Sequence, residues 1–219
     1  ISREKFMKHT ATVAPFSTST PTENLPDFIN KNQVNALTVL FLTLIFLIRG
    51  PFLDSMVHIP DPTLSLFFIA GVYLRVWQVP IVLLAGAGLT DFYSFQSGVN
   101  TFCLSPAYPF LIPTYLSLWF GGKLFQNFEI NSAEFTVKLI GVLFAATLLA
   151  FLISSGGFYL WSGRFENLTW VDFGGRIIKY FPSYNGMTFL YITIAVVFVQ
   201  AKSYFRDELK SMKHYSPKT

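Results

Sequence analysis

The sequence predicts an all-α fold, that of a polytopic membrane protein with six transmembrane helices. Three observations carry this expectation. Apolar residues make up 52% of the chain and charged ones only 13%, whereas a soluble domain carries about 25% charge. Apolar runs such as Ala36–Ile48 hold no charge and no amphipathic stripe. With their flanks they approach the roughly 20 residues needed to cross a hydrocarbon core. Lysine and arginine, finally, are distributed very unevenly between alternate connections.

Residues 1–33 stand apart. They are polar and rich in Ser, Thr and Pro, as in the stretch PFSTSTPTENLP (15–26). They lack the 7–15-residue apolar core of a cleavable signal peptide and read as a disordered cytoplasmic tail, leaving the first transmembrane helix to direct insertion. Residues 34–203 form the transmembrane domain, with apolar segments near 34–50, 63–78, 79–95, 105–121, 135–155 and 186–202. The second and third are joined by Arg75-Val-Trp-Gln-Val-Pro80, which fits a tight helical hairpin. Pro80 suits the first turn of the third helix, where no backbone donor is lost. Pro109 and Pro113 lie inside the fourth segment and predict a kinked or broken helix. Residues 204–219 read as a basic cytoplasmic tail.

Six spans put both termini on one side. That side holds Arg3, Lys5, Lys8 and Lys31, then Lys202, Arg206, Lys210, Lys213 and Lys218, and the even-numbered connections add Arg75, Lys123 and Lys138. The odd-numbered connections hold only Arg49, Arg164, Arg176 and Lys179. Twelve cations against four place both termini in the cytoplasm by the positive-inside rule. The net charge of +4 therefore reports topology and leaflet electrostatics, and gives no reason to invoke nucleic acid.

The odd-numbered connections, facing away from the cytoplasm, also hold the chemically informative residues. Cys103, the only cysteine, lies in GVNTFCLSPAY (98–108). It is either a small buried hydrophobe or a soft ligand for a transition metal. A lone cysteine cannot form a disulfide within the chain, and no Cys/His cluster supports a four-ligand zinc or iron–sulfur site. A single thiolate can still supply one axial position to a metal already held by a macrocycle. Asp91 closes the third apolar segment, as a functional intramembrane charge or as a residue that caps a span. Arg164 offers a planar fork for a phosphate or an amide, or anchors the chain at the interface. His58 reads first as structural; His9 and His214 lie in the tails. Asn167-Leu-Thr169 matches a glycosylation acceptor and reads as a coincidence of a short pattern. No Ser–His–Asp set, paired-carboxylate site, P-loop or HExxH occurs, so nothing argues for an ATPase or a hydrolase.

Four stretches resemble one family. They are HIPDPTLSLFFIAGVYLR (58–75), TDFY (90–93), FCLSPAY (102–108) and SSGGFYLWSGRF (154–165). Together they are similar to the BtuM-like vitamin B12-specific substrate-binding components (S-components) of energy-coupling factor (ECF) transporters. The resemblance covers roughly residues 45–190 and is most specific around the cysteine. One departure bears on any histidine ligand from the segment after the first helix: relatives carry histidine where this chain reads Arg-Gly-Pro-Phe (49–52).

The resemblance implies an ECF S-component-like six-helix bundle with a cobalamin pocket at the outer face of a bacterial inner membrane. It implies Cys103 as axial cobalt ligand, with removal of an upper ligand such as cyanide (decyanation) as a side activity. Asp91, Tyr108 and Arg164 would meet the corrin's amides, and His58, Tyr93, Phe102, Tyr159 and Trp161 complete the candidate set. Partners implied are cobalamin, the lipid bilayer and an ECF module of a coupling subunit with two ATPases. Three alternatives stand beside it: the same fold with another vitamin, a haem-binding oxidoreductase subunit using Cys103, and a non-catalytic scaffold. The predicted spans offer no histidine for haem.

The charge asymmetry is testable by cysteine accessibility or reporter fusions. Residues 125–130 are expected on the cytoplasmic side and residues 165–172 on the other; cytoplasmic reporting from 165–172 would overturn the topology.

Overall fold

A computed structural model describes residues 31–50, 61–74, 76–97, 105–125, 133–166 and 169–214. Among them are six α-helices and no strand. They are α1 (Lys31–Arg49), α2 (Thr63–Tyr73), α3 (Gln78–Gln96), α4 (Leu111–Lys123), α5 (Ala133–Trp161) and α6 (Trp170–His214), with one 3₁₀ turn, Tyr108–Phe110, ahead of α4. The all-helical expectation holds. Three helices are long and apolar enough to cross a membrane: Lys31–Arg49, Glu134–Trp161 and Trp170–Lys202.

The other three differ from the expected spans. With 11 and 13 residues, α2 and α4 are only about 16 Å and 20 Å long, short of a core about 30 Å thick. α3 has the length, with 19 residues, but Gln78, Asp91 and Gln96 dilute its apolar character. The prolines of the fourth segment act as expected. The chain turns in a 3₁₀ helix through Pro109, and Pro113 sits in the first turn of α4, where its missing N–H leaves no carbonyl unpaired.

The last helix begins earlier and ends later than the apolar run at 186–202. Its start is fixed by Thr169. The Thr169 hydroxyl donates to Asp172 Oδ2 (2.6 Å) and accepts the Asp172 backbone N–H (3.1 Å), a side-chain cap on the first turn. Its extension through His214 replaces the expected tail from 204. No glycine or proline interrupts 202–215, and Arg206, Glu208, Leu209, Lys210 and Met212 all favour helix. The expected tail at 1–33 lies outside the described residues up to position 30; α1 starts at Lys31, close to the expected 34.

α2 and α4 form the closest pair, α4 also packs along α5, and α1 packs on α3. The α2–α4 contact is set by two glycines that face each other. A β-carbon on Gly71 would collide with the Trp119 carbonyl oxygen and stand 3.1 Å from Gly122 Cα. One on Gly122 would collide with the Phe68 carbonyl oxygen and stand 3.0 Å from Gly71 Cα. Small residues thus let two backbones touch where apolar side chains supply no force that lipid does not. Around this contact, Phe67, Phe68, Leu118 and Trp119 are fully buried. The long helices face outward instead: only 11% of the apolar window of α1, 28% of α5 and 11% of α6 is buried. Exposed Leu40, Ile140, Ile178 and Phe198 form a surface suited to lipid rather than water.

Gly71→Ala and Gly122→Ala should each lower stability in detergent by about 1–3 kcal/mol, the usual cost of overpacking, with backbone displaced on both helices. A thermal melt that is unchanged for both would show that α2 and α4 do not meet in this way.

Candidate functional site

The polar side chains of the bundle converge where α1 and α3 finish and α2 and α4 begin. Arg49, the last residue of α1, is the centre. Its Nε pairs with Asp91 Oδ1, and its Nη2 donates to Asp91 Oδ2 (2.8 Å), a bidentate pair in which both N–H groups meet both carboxylate oxygens. Its Nη1 donates to Asp61 Oδ2 and to the Tyr115 hydroxyl, each at 2.7 Å. The Tyr108 hydroxyl donates to Asp91 Oδ2 at 2.6 Å. One guanidinium thereby binds side chains from α3, from α4 and from the residue leading into α2.

Each partner is itself held. Asp61 Oδ1 accepts the Thr63 backbone N–H (2.9 Å) and the Thr63 hydroxyl, an Asx-type turn that opens α2. The Tyr115 ring is buried and stacks on Phe67, with centroids 4.8 Å apart and planes 15° apart. The Ser94 hydroxyl donates to the Arg49 carbonyl (3.4 Å). Side-chain exposure falls from 46% at Asp61 to 17% at Arg49 and 10% at Asp91. The pair with Asp91 is therefore the desolvated one, and Asp61 is its wet edge.

This cluster borders a cavity of about 620 Å³, within the range of small-molecule sites. Besides Arg49, Asp61, Asp91, Tyr108 and Tyr115, its wall includes Ser105, Thr114, Ser154, Ser155 and Tyr184. The Tyr184 hydroxyl is buried and has no hydrogen-bond partner among the described residues. Such a group calls for a partner, and a ligand in the cavity would supply one.

Of the residues expected from the sequence, Asp91 and Tyr108 meet in the cavity wall. Four others lie elsewhere. Tyr93 is exposed on the opposite face of α3, beside Phe46 (6.4 Å). Tyr159 is buried away from the cavity: its hydroxyl accepts the Thr169 N–H (2.8 Å) and donates to the Thr169 carbonyl (3.1 Å). Its ring stacks on Phe173 (5.4 Å). It thus ties the end of α5 to the start of α6. Trp161 is exposed and stacks on Phe110 (4.9 Å). Arg164 is exposed and its backbone N–H meets the Ser162 hydroxyl (3.3 Å). Cys103, Phe102 and His58 lie outside the described residues. No group of three or more metal-ligating side chains occurs among the described residues.

The residues missed from the sequence are Arg49, Asp61, Tyr115 and Tyr184. In the sequence Arg49 reads as a topogenic charge. An arginine and an aspartate near the ends of two helices on the same side are nevertheless natural partners, since either alone inside an apolar bundle is costly. Compared with family models and with curated proteins, the chain matches none.

Removing one partner of a desolvated pair costs more than removing both. Arg49→Met leaves the Asp91 charge facing Tyr108 alone and should destabilise the protein by about 3 kcal/mol. Arg49→Met combined with Asp91→Leu should recover most of that loss. Thermal or denaturant unfolding of the two single variants and the double variant measures the coupling; additive losses would show that the pair is not desolvated.

Proposed function

We propose that this chain is a membrane-embedded cobalamin-binding and uptake protein. In this reading it spans the membrane six times with both termini cytoplasmic, takes its substrate at the outer face, and uses Cys103 as an axial ligand of the cobalt. The observation that carries the reading is the wall of the cavity. It gathers residues that flank the first, third and fifth connections: Arg49 and Asp61, Phe95 and Ser105, and Ser155 and Phe158. These are the connections on which the resemblance to vitamin B12 S-components rests. Cys103 stands two residues before Ser105 in the sequence, a stretch that spans at most about 7 Å.

The chemistry of the wall suits such a substrate. Phe95, Leu111, Phe158 and Met187 give apolar surface, while Ser105, Ser154, Ser155 and Ser183 add hydroxyls for peripheral amides. Cobalamin is larger than the cavity, so only one side of the corrin would be seated in it. The shortness of α2 and α4 accords with six passages of the chain, because irregular backbone at membrane depth is tolerated where it lines a cavity. Coupling to an ECF module belongs to the same reading, as does removal of an upper ligand by the Cys103 thiolate.

Equilibrium binding with cobalamin, riboflavin, thiamine and biotin tests the assignment. Cobalamin should bind tightest, and tighter binding of any other vitamin would reject it. Cys103→Ser exchanges a soft ligand for a hard, poorly nucleophilic one. It should alter the visible spectrum of the bound corrin and abolish decyanation, while binding persists in part. An unchanged spectrum and unchanged ligand exchange would make Cys103 an inert side chain.

A further inference from the structure

The charges around the cavity do not balance. Among the described residues its wall holds three ionisable groups of fixed sign, Arg49, Asp61 and Asp91, which leaves one negative charge in excess. All but one of the guanidinium N–H groups of Arg49 are engaged: Nε–H and one Nη2–H by Asp91, and both Nη1–H groups by Asp61 and Tyr115. The segments that join these elements, 51–60 and 98–104, contain no lysine or arginine. Asp91 is nearly enclosed and spends both oxygens on Arg49 and Tyr108. Asp61 is half exposed at the cavity wall, and its Oδ2 has one described partner, Arg49. A carboxylate oxygen accepts more than one hydrogen bond, so the excess charge is presented to a ligand at Asp61.

We propose that the cavity selects for ligands carrying N–H donors or positive charge, and against anionic ones, with Asp61 as the specificity-determining carboxylate. This rests on the cobalamin reading and deepens it. The groups that Asp61 would meet are primary amides at the corrin edge, whose NH₂ donates to a carboxylate. An amide hydrolysed to a carboxylate would bring like charges together and leave Asp61 without its donor. Discrimination of this kind is strong, because a site built for an N–H is left with an unpaired polar group when the N–H is missing. The same rule disfavours ligands whose anchoring group is a carboxylate, such as biotin.

The test compares cyanocobalamin with its separable monocarboxylic acids, in each of which one peripheral amide has been hydrolysed. Affinities are measured on the purified full chain in detergent. At least one acid should bind wild-type protein 10-fold or more weakly than the parent. In Asp61→Asn, which retains an oxygen to accept the Thr63 N–H and so preserves the turn into α2, that gap should shrink to threefold or less. Asp61→Glu, which keeps the charge, should preserve it. If wild-type protein binds the parent and every acid equally, the charge rule is overturned while the cobalamin reading stands. A gap that persists undiminished in Asp61→Asn overturns the role of Asp61. Failure of wild-type protein to bind the parent overturns both readings. If Asp61→Asn does not fold, the wild-type series decides the charge rule, and Asp61→Ser, which also removes the charge and keeps a side-chain acceptor for the Thr63 N–H, decides whether the charge at 61 carries it.

Discussion

An aspartate carried to the end of α3 inside an apolar bundle costs several kcal/mol as an ion unless a cation meets it with good geometry. Arg49 meets that need, and the demand runs both ways, since the arginine is itself only 17% exposed. The pair requires α1 and α3 to finish at the same level, which their mutual packing provides. The remaining donors of the guanidinium then draw in Asp61 and Tyr115, which fixes where α2 starts and how α4 is rotated. Four helices are thus registered by one side chain. The buried ion pair here specifies an arrangement, whatever it adds to net stability.

The cavity follows from helix length. α2 and α4 touch backbone to backbone through Gly71 and Gly122, and they lie among longer neighbours. Their first turns, at Leu64 and at Leu111, Thr114 and Tyr115, reach the cavity wall. α5 and α6 border it through Ser154 and Ser155 and through Ser183 and Tyr184. α6 begins 13 residues before Ser183, about 20 Å further along the axis. Two short helices between long ones leave a hollow at their ends.

How much of this was legible in the sequence depends on whether the signal was local. Apolar runs gave the helices and the prolines gave the break before α4, because both effects act within a turn or two. Helix ends were less legible. Gly174, Gly175, Arg176 and Lys179 made the start of α6 look like loop, although Thr169 and Asp172 carry a capping signature. The site was legible in part. Asp91 stood out as a charge at the end of an apolar run, and Tyr108 entered only through the family resemblance; the pairing of Asp91 with Arg49 spans 42 positions, and no local pattern encodes it. Tyr93 shows a different shortfall. It lies two residues from Asp91, about 200° around the helix, so the two cannot share a face; Ser94 and Phe95 can, and both line the cavity.

Residue type alone was a weak guide because most hydroxyls in this bundle serve their own helix. Thr38, Thr90, Thr114, Thr147 and Thr188 each donate to a carbonyl four residues earlier, the usual way for such a side chain to satisfy itself in an apolar setting. These bonds say little about function. Side-chain bonds that cross between elements do, since each requires two separate segments to agree. Among the described residues they gather mainly in three places. One is a single link between Thr147 and Asn185 (2.7 Å), and another is the joint that Tyr159 makes with Thr169. Both hold α5 against α6 or the residue that leads into it. The third joins Arg49, Asp61, Asp91, Tyr108 and Tyr115 around an open cavity. It is also where, among the described residues, acidic charge exceeds basic charge and a buried phenol lacks a partner. Packing accounts for the first two places. The third holds more polar chemistry than packing four helices demands, and that surplus faces the space where a ligand would lie.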